Sequence, residues 1–161
     1  MTSKTVAQSK TEMSQLMTPQ HANAAGVVFG GSILAMADNA AYVCASRHAG
    51  PRCVTVSVDR VDFREPIQIG ELVTLQASVN FVGRSSMEIG IKICAEDLKT
   101  GKKRHTNSCY FTMVCLGEDN RPAEVPKIIA ETADEKRRLE NGEKRRELRR
   151  DFSGVLRLKK T

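Results

Sequence analysis

The sequence has no apolar run long enough to cross a membrane, and its first residues, MTSKTVAQSKTE, lack the apolar segment of a signal peptide. A membrane-spanning helix needs about 20 mostly apolar residues. A signal peptide needs an apolar core of about 7–15 residues. We therefore expect no membrane insertion and a cytoplasmic location.

The sequence also has no CxxC pair. Its cysteines are odd in number and scattered along the chain: Cys44, Cys53, Cys94, Cys109 and Cys115. Closely spaced pairs are typical of zinc sites, and compact even-numbered sets are typical of disulfide-stabilised secreted domains. The pattern predicts reduced thiols packed as small apolar residues, with neither disulfides nor a metal site.

Most of the chain has little net charge, although the whole sequence has a formal charge of +6. Residues 134–160 contain eleven Lys and Arg against six Asp and Glu, so the rest is close to neutral. A nucleic-acid-binding domain carries its positive charge on the folded domain itself. The distribution therefore predicts a basic tail and no nucleic acid partner.

The central stretch, HANAAGVVFGGSILAMADNAAYVCASRH at residues 21–48, is a glycine-containing loop followed by a helix that is apolar on almost every side. Such a helix is expected to be buried all round. The one charge in its middle is Asp38, and an unpaired carboxylate in such a place costs several kcal/mol. We therefore expect Asp38 either to be used chemically or to be paired.

The start of this helix predicts a site for an oxygen with negative charge. Gly30 and Gly31 allow a close approach of the backbone, and Ser32 is a reasonable N-cap. The first turn of a helix offers unpaired N–H groups and the positive end of the helix dipole. Asp38 follows within two or three turns, so an oxyanion donor and an acid or base lie within reach of one ligand.

Alternating apolar residues predict an antiparallel meander in the rest of the folded part. The predicted strands cover residues 11–17, 53–63 with a bulge near residues 59–60, 73–81, 87–93 and 105–116. One apolar helix and one antiparallel sheet bury each other if the sheet curls around the helix. The fold class is therefore α+β, with a long central helix wrapped by a curved antiparallel β-sheet.

A length of 161 residues allows one domain with a real core, and no internal repeat is visible. We divide the chain into a flexible N-terminus at residues 1–10, a folded domain at 11–126 and a charged, partly helical tail at 127–161. Within the tail, Asn141-Gly142 is a turn signal and predicts a broken or partly ordered helix.

Four blocks in order, HANAAGVVFGGSILAMADNAAY, VTVSVDRVDFREPIQIGELV, VGRSSMEIGIKI and RHTNSCYFTMV, resemble a known family. They are similar to the hotdog-fold acyl-coenzyme A thioesterases of the cytosolic long-chain acyl-CoA hydrolase type, over roughly residues 11–117. The resemblance implies a hydrolase of the fatty acyl-CoA thioester, releasing a free fatty acid and coenzyme A, and a role in fatty acid metabolism.

The resemblance also implies how subunits assemble. Hotdog subunits pair so that two sheets join, and active sites form at the dimer interface. In the family a loop Asn, here Asn23, and a helix acid, here Asp38, come from opposite subunits and meet over the thioester. Three such dimers commonly form a hexamer, so we expect a homohexamer.

The implied chemistry assigns the catalytic roles to Asn23 and Asp38. Asp38 acts as the general base, or as a nucleophile that forms a mixed anhydride, and Asn23 orients the attacking water or the reacting group. Backbone N–H groups near Gly30 and Gly31 polarise the carbonyl. Neither a metal nor a cofactor is required, because coenzyme A is part of the substrate and the product.

Coenzyme A adds a phosphate-bearing nucleotide and a long pantetheine arm to be bound. The turn of Gly83, Arg84, Ser85 and Ser86 is polar and cationic, which suits phosphate or pantetheine. Thr55 and Ser57 lie on a strand that can line the arm. These six residues are the predicted coenzyme A contacts.

Four other readings compete with these assignments. The chain is alternatively a hotdog dehydratase or hydratase acting on acyl thioesters, although His21 lies in the loop rather than on the helix. It is alternatively a nucleotide- or RNA-binding module that uses the basic tail. Asp38 can be a structural acid paired with an arginine, and Cys44 and His48, four residues apart, can suggest a nucleophile and its base.

Overall fold

The computed structural model describes the backbone of residues 3–157 and the side chains of residues 3–151. Residues 1–2 of the predicted flexible N-terminus and residues 158–161 of the predicted tail lie outside the described residues. In chain order the elements are β1 (Ser3–Thr5), β2 (Thr11–Leu16), α1 (Gly30–Ala49), β3 (Cys53–Val58), β4 (Leu72–Val82), β5 (Ser86–Glu96), β6 (Lys103–Cys115), β7 (Lys127–Ile129) and α2 (Ala133–Arg157).

Five strands form one antiparallel sheet in the order β2-β4-β5-β6-β3, and this sheet curls around α1. The two faces of the sheet differ because side chains alternate along each strand. Val73, Leu75, Ile89, Phe111 and Met113 are buried against α1 and form the core. The predicted α+β architecture, a central helix wrapped by a curved antiparallel sheet, is therefore confirmed.

The other face of the sheet carries polar side chains and is covered by α2. Arg138 of α2 donates to Ser78 of β4, and Arg145 donates to the buried Glu88 of β5. The guanidinium of Arg145 also lies 3.8 Å from the centre of the Tyr110 ring of β6. The sheet is thus packed between an apolar helix on its inner face and a charged helix on its outer face.

The strand order corrects the predicted meander. Strands β4, β5 and β6 do follow one another as hairpin-connected neighbours, but β3 pairs with β6 at the far edge instead of with β4. The reason is that α1 crosses the sheet between β2 and β3 and delivers the chain to the opposite edge. The predicted strand over residues 53–63 ends at Val58, and its bulge lies between Thr55 and Ser57 rather than near residues 59–60.

Two expectations for α1 are wrong. The helix begins at Gly30 after Phe29, whose carbonyl accepts from the amides of Ser32 and Ile33, so Ser32 lies inside the helix and is not its N-cap. In the single chain the helix is buried on the face toward the sheet, while Tyr42 on the other face is 46% exposed.

The terminal segments are more regular than their sequences suggest. Strand β1 pairs in parallel with β7, and Val6 and Ser9 are buried, so residues 3–10 are tied to the fold rather than flexible. Helix α2 runs through Asn141-Gly142 without the predicted break. Gly142 is buried against the sheet, and this packing outweighs the local turn preference.

The five cysteines are free thiols, and all but Cys94 are buried, as predicted. Within residues 3–157, no helix has both the length and the apolar character needed to span a bilayer.

Candidate active site

Asp38 of α1 and Thr55 of β3 come together at the centre of the candidate site. The hydroxyl of Thr55 donates a 2.5 Å hydrogen bond to Asp38 Oδ1. Thr55 is held in place by its pairing with Met113 on β6, whose Sδ lies 3.2 Å from the same hydroxyl. The contact joins the middle of the helix to the edge strand of the sheet.

The second carboxylate oxygen of Asp38, Oδ2, has no hydrogen-bond partner among the described residues. In the described part of the chain, no side chain or backbone group donates to Oδ2, and no Lys, Arg or His lies within salt-bridge distance of Asp38. The alternative of a structural acid paired with an arginine is therefore not seen. A half-buried carboxylate with one oxygen fixed by a hydroxyl and the other open is suited to accept a proton or attack a carbonyl carbon.

Asn23 lies in the exposed loop before α1, and its side chain shapes that loop. Its Oδ1 accepts from the backbone amides of Ala25 at 2.9 Å and Val27 at 3.3 Å. Both partners are donors, so the side-chain oxygen faces the loop backbone and the Nδ2 amide points away from it. No group among the described residues accepts from Nδ2, which is therefore available to donate to a ligand.

The first turn of α1 has free backbone donors beside two aromatic rings. Among residues 3–157 the amides of Gly30 and Gly31 have no acceptor. A Cβ on Gly31 would overlap the Phe29 ring, and a Cβ on Gly30 would lie 3.2 Å from Phe63 Cζ. A side chain at either position would displace the ring that packs there, and the two unpaired amides are the predicted oxyanion donors.

The structure divides the predicted coenzyme A contacts between the two faces of the sheet. Thr55 pairs with Met113 on the inner face, but the bulge turns Ser57 to pair with Thr112 on the outer face. Ser57 and Ser86 line an outer groove together with α2. The predicted set is therefore not one surface patch in the single chain.

The remaining residues of the predicted coenzyme A turn already make some contacts within the chain. The Gly83 amide donates to the Ser86 carbonyl, and the Ser85 carbonyl accepts from Cys115. The exposed guanidinium of Arg84 pairs with Glu124 at 3.1 Å. The backbone of the turn is used structurally, whereas the Ser85 and Ser86 hydroxyls have no hydrogen-bond partner among the described side chains.

The nucleophile and base suggested by Cys44 and His48 are not a reactive pair. Both side chains are fully buried. Burial raises the pKa of the Cys44 thiol to about 12. His48 Nε2 is bound to the carbonyl of Pro126 at 2.9 Å. A neutral thiol without access to solvent is a packing residue.

His21 is also structural in this loop. Its Nδ1 accepts from the amide of Thr18 at 3.0 Å and contacts the Thr18 hydroxyl, and its Nε2 lies 3.2 Å from Gln15. Both ring nitrogens are occupied, so the ring fixes the short 3-10 turn Pro19–His21. The dehydratase reading gains no support from this histidine.

Sequence reasoning missed two features of the site. The contact between Asp38 and Thr55 has no sequence signal, because it depends on where the edge strand passes the helix. Arginines of α2 face the sheet, whereas the sequence predicts only a charged, partly helical tail. The spacing of Arg145 and Arg149, one helical turn apart, is the signal that predicts a shared face.

The comparisons with known proteins agree with this fold. The family model for the thioesterase superfamily matches residues 25–102. Protein VdlD of Helicobacter pylori is 46% identical over 145 residues, which are 90% of this chain and 83% of that protein. The chain is also similar to the structure of an apo-hexameric acyl-CoA thioesterase, with a TM-score of 0.92, 34% identity, and 95% of this chain and 98% of that chain covered.

A further similar structure is the acyl-CoA hydrolase from Staphylococcus aureus in complex with butyryl coenzyme A, coenzyme A and coenzyme A disulfide. Its TM-score is 0.86 at 33% identity, and 95% of each chain is covered. Three variants of that enzyme, in which an asparagine, an aspartate or a threonine is replaced by alanine, match as well. Along that chain the three residues have the same spacing as Asn23, Asp38 and Thr55.

A long helix wrapped by a curled antiparallel sheet is the fold of the hotdog thioesterases. The chain belongs to the thioesterase superfamily, as a hotdog-fold acyl-CoA thioester hydrolase. The predictions of family, fold and enzyme class are thereby confirmed.

Proposed function

We propose that this enzyme hydrolyses fatty acyl-CoA to a free fatty acid and coenzyme A, with Asp38 as the general base. The observation that carries the proposal is the Asp38 carboxylate, which is fixed on one oxygen by Thr55 and open on the other. The matching spacing of the substituted residues in the S. aureus hydrolase supports the choice of Asn23, Asp38 and Thr55.

The reaction follows from these groups. Asp38 Oδ2 takes a proton from water as the water oxygen bonds to the thioester carbonyl carbon, and the carbonyl oxygen becomes an oxyanion. The free amides of Gly30 and Gly31 donate to that oxyanion. When the C–O double bond re-forms, the C–S bond breaks, and the proton held by Asp38 passes to the departing sulfur.

A covalent route uses the same residues. In it Asp38 attacks the carbonyl carbon itself, the thiolate leaves, and water then hydrolyses the mixed anhydride. Hydrolysis in water labelled with ¹⁸O, under single-turnover conditions with enzyme in excess, identifies the covalent route if the label is found in Asp38. The label enters the Asp38 carboxylate only when an anhydride is attacked at the aspartyl carbon, and it enters the fatty acid directly in the general-base route.

Thr55 is a positioning residue in this mechanism. Its hydroxyl holds Asp38 Oδ1 and so directs Oδ2 toward the reacting atoms. We expect Thr55→Val to lower kcat about tenfold or more with a smaller change in KM, since one charged hydrogen bond is lost. Thr55→Ser restores the hydroxyl and is expected to recover most of the rate, which a purely structural role of the methyl group would not produce.

Thiol release from short, medium and long acyl-CoA tests the assignment of Asp38. Loss of a general base lowers the rate by about 10²–10⁴-fold, so Asp38→Asn is expected to lose activity to that extent on every chain length. Asn39→Ala, an exposed neighbour on α1, is the matched control and is expected to keep full activity. Full activity of a folded Asp38→Asn would make this residue structural, and no wild-type hydrolysis would reject the proposed reaction.

We further propose that Asn23 acts on the active site of the partner subunit in a hexamer built from three hotdog dimers. The support is the open Nδ2 of Asn23 and the hexameric state of the similar apo acyl-CoA thioesterase. Asn23→Ala and Asp38→Ala proteins, each inactive alone, are expected to regain activity after mixing, because one site in each mixed dimer is then intact. No recovery after verified subunit exchange would contradict this arrangement.

The predicted coenzyme A contacts Thr55, Ser57, Gly83, Arg84, Ser85 and Ser86 remain part of the proposal, as does a cytoplasmic location. The open hydroxyls of Ser57 and Ser86 support their role. Cell fractionation followed by detection of the protein and of acyl-CoA hydrolysis in each fraction checks the location.

A further inference from the structure

Two aromatic rings lie beside the predicted oxyanion donors, and the mechanism above gives them no role. Phe29 directly precedes α1, and its ring folds back over Gly31, where an added Cβ would lie 2.7 Å from Phe29 Cζ. Phe63 lies in the loop after β3, and the end of its ring reaches Gly30. Both rings therefore contact the short piece of backbone that carries the two free amides.

Both rings present a large apolar surface to solvent in the single chain. The side chain of Phe29 is 55% exposed and that of Phe63 is 49% exposed. A single exposed apolar residue is ordinary, but two phenyl rings at one helix end form a patch. Because the removal of apolar area from water is favourable, this patch favours an apolar occupant.

The loop that carries Phe63 is anchored at both ends. At its start, the carboxylate of Asp59 pairs with Arg149 of α2 at 2.7 Å. Near its end, the carboxylate of Glu65 pairs with Arg104 of β6 at 2.9 Å. These ion pairs fix the loop to two elements of the fold, so the Phe63 ring is held against the start of α1.

The two substituents on a thioester carbonyl carbon differ in polarity. The sulfur leads to the pantetheine arm, which contains amide groups, whereas the acyl chain consists of methylenes and a terminal methyl. With the carbonyl oxygen at the amides of Gly30 and Gly31, both substituents begin next to the rings. A phenyl ring cannot accept or donate a conventional hydrogen bond, so it stabilises the acyl side rather than the pantetheine amides.

We propose that Phe29 and Phe63 contact the first methylenes of the acyl chain and make the enzyme favour longer chains over acetyl-CoA. This inference rests on the proposed function, because it takes the amides of Gly30 and Gly31 as donors to the thioester oxygen. Each methylene that leaves water for an apolar contact raises kcat/KM by about fourfold. Two methylenes against the rings therefore give a preference of about 15-fold.

The ratio of kcat/KM for hexanoyl-CoA to kcat/KM for acetyl-CoA tests this role. Phe63→Ala is expected to lower the ratio by about tenfold, because the methylenes lose most of their apolar contact. Phe63→Leu keeps an apolar side chain and is expected to lower the ratio less. Leu98→Ala removes a side chain that is also 55% exposed, in the turn between β5 and β6, and is expected to leave the ratio at the wild-type value.

Two results of this kinetic comparison contradict the proposal. One is an unchanged ratio in a folded Phe63→Ala protein. The other is an equal loss of kcat/KM on every chain length, because the ring would then contact coenzyme A and not the acyl chain.

A fluorescence measurement tests the contact without hydrolysis. The sequence contains no tryptophan, so Phe63→Trp introduces a single indole at the proposed contact. The dodecyl thioether of coenzyme A cannot be hydrolysed, and it is expected to shift the indole emission to the blue because the chain displaces water. Coenzyme A alone is expected to give no shift, and Leu98→Trp is the control that responds to neither ligand. No shift with the thioether, or an equal shift with coenzyme A alone, overturns the proposal.

These measurements separate failure of the acyl contact from failure of the proposed function. A blue shift without hydrolysis of any acyl-CoA by the wild type supports the contact and rejects the hydrolysis. Hydrolysis with an unchanged ratio and no shift rejects the contact alone. Light scattering of Phe63→Ala tests the other occupant of the patch: a smaller assembly than that of the wild type would assign the ring to a contact between copies and overturn the proposal.

Discussion

At the scale of single residues, the partners of three acids separate structural carboxylates from the candidate catalytic one: Glu71 just before β4, Glu88 on β5 and Asp38 on α1. Arg104 donates hydrogen bonds to both carboxylate oxygens of Glu71, and these hydrogen bonds lower the pKa of Glu71. Glu88 is buried and held by two arginines of α2. Among the described residues, Asp38 has only the Thr55 hydroxyl as a hydrogen-bond partner. A carboxylate needed for proton transfer cannot be neutralised by a guanidinium, and Asp38 alone of these three meets that condition.

His48 is a second residue whose protonation matters, here for stability. Its Nε2 must donate to the Pro126 carbonyl, so Nδ1 is the unprotonated nitrogen, and within the described side chains Nδ1 has no partner. Burial lowers the pKa of His48 in the folded state below its ordinary value of 6.5, and the nearby Lys4 acts in the same direction.

We predict that stability falls as the pH drops below about 6.5. There the unfolded chain takes up a proton at His48 that the folded chain does not, and one such proton contributes at most about 1.4 kcal/mol per pH unit. Urea unfolding at pH 7 and pH 5.5 measures the slope. His48→Gln is expected to flatten it, whereas the exposed His105→Gln serves as the control. An identical slope for wild type and His48→Gln would refute the prediction.

At the scale of secondary-structure elements, α2 shows how a strongly charged helix packs on a sheet. The outer face of the sheet offers carboxylates and an aromatic ring, and the arginines of α2 bind to them. The helix can approach closely where it has no side chain, at Gly142. Its docking therefore depends on ion pairs and on one small residue rather than on an apolar stripe.

Gly142→Ala separates helix propensity from packing. In an exposed helix this substitution stabilises by about 1 kcal/mol. Here the new Cβ would lie 2.8 Å from Phe81 Cβ and 3.2 Å from Glu88 Oε1. Overpacking of this kind costs about 1–3 kcal/mol, so we expect a net loss in the free energy of unfolding, measured in urea.

The neighbouring exposed position provides the control for this experiment. Glu143→Ala changes the same turn of α2 without a contact to the sheet and is expected to stay within about 0.5 kcal/mol of the wild type. A stabilising effect of Gly142→Ala would show that α2 does not pack against β4 as described.

At the scale of the whole molecule, the exposed edge of strand β3 is the feature that points to assembly with a second chain. Within residues 3–157, β3 has a strand partner on one side only. Its apolar side chains are exposed: 36% for Val54, 61% for Val56 and 43% for Val58. Exposed apolar edge strands invite pairing with another chain, which supports the proposed dimer.

Val54→Lys is predicted to disrupt the assembly. A charge on the edge strand opposes pairing with a second copy, so sizing by light scattering is expected to show a shift toward the monomer. Activity is expected to fall with it, because the proposed site needs Asn23 from the partner. Val54→Thr keeps the branched shape without charge and should retain the assembly. A Val54→Lys protein of unchanged size would place the dimer contact elsewhere.

The sequence by itself determined the elements whose signals are local. The glycine loop with its long apolar helix, the alternating strands and Asp38 as an isolated acid were all readable, because each depends on residues close together in the chain. The resemblance of four blocks added Asn23 and the hotdog arrangement. The separation of Ser57 from Thr55 was not readable, since the position of a bulge depends on how two strands pair.

Only the tertiary structure decided which distant groups meet. The edge position of β3 placed Thr55 against Asp38, and it also left the valines of β3 exposed. The outer face of the sheet kept α2 continuous through Asn141-Gly142 and turned its arginines into the wall of a groove. Packing and ion pairs between residues far apart in the chain outweigh the local turn preference of Asn141-Gly142 and the solvation of the arginines of α2. No local sequence pattern predicts these long-range contacts.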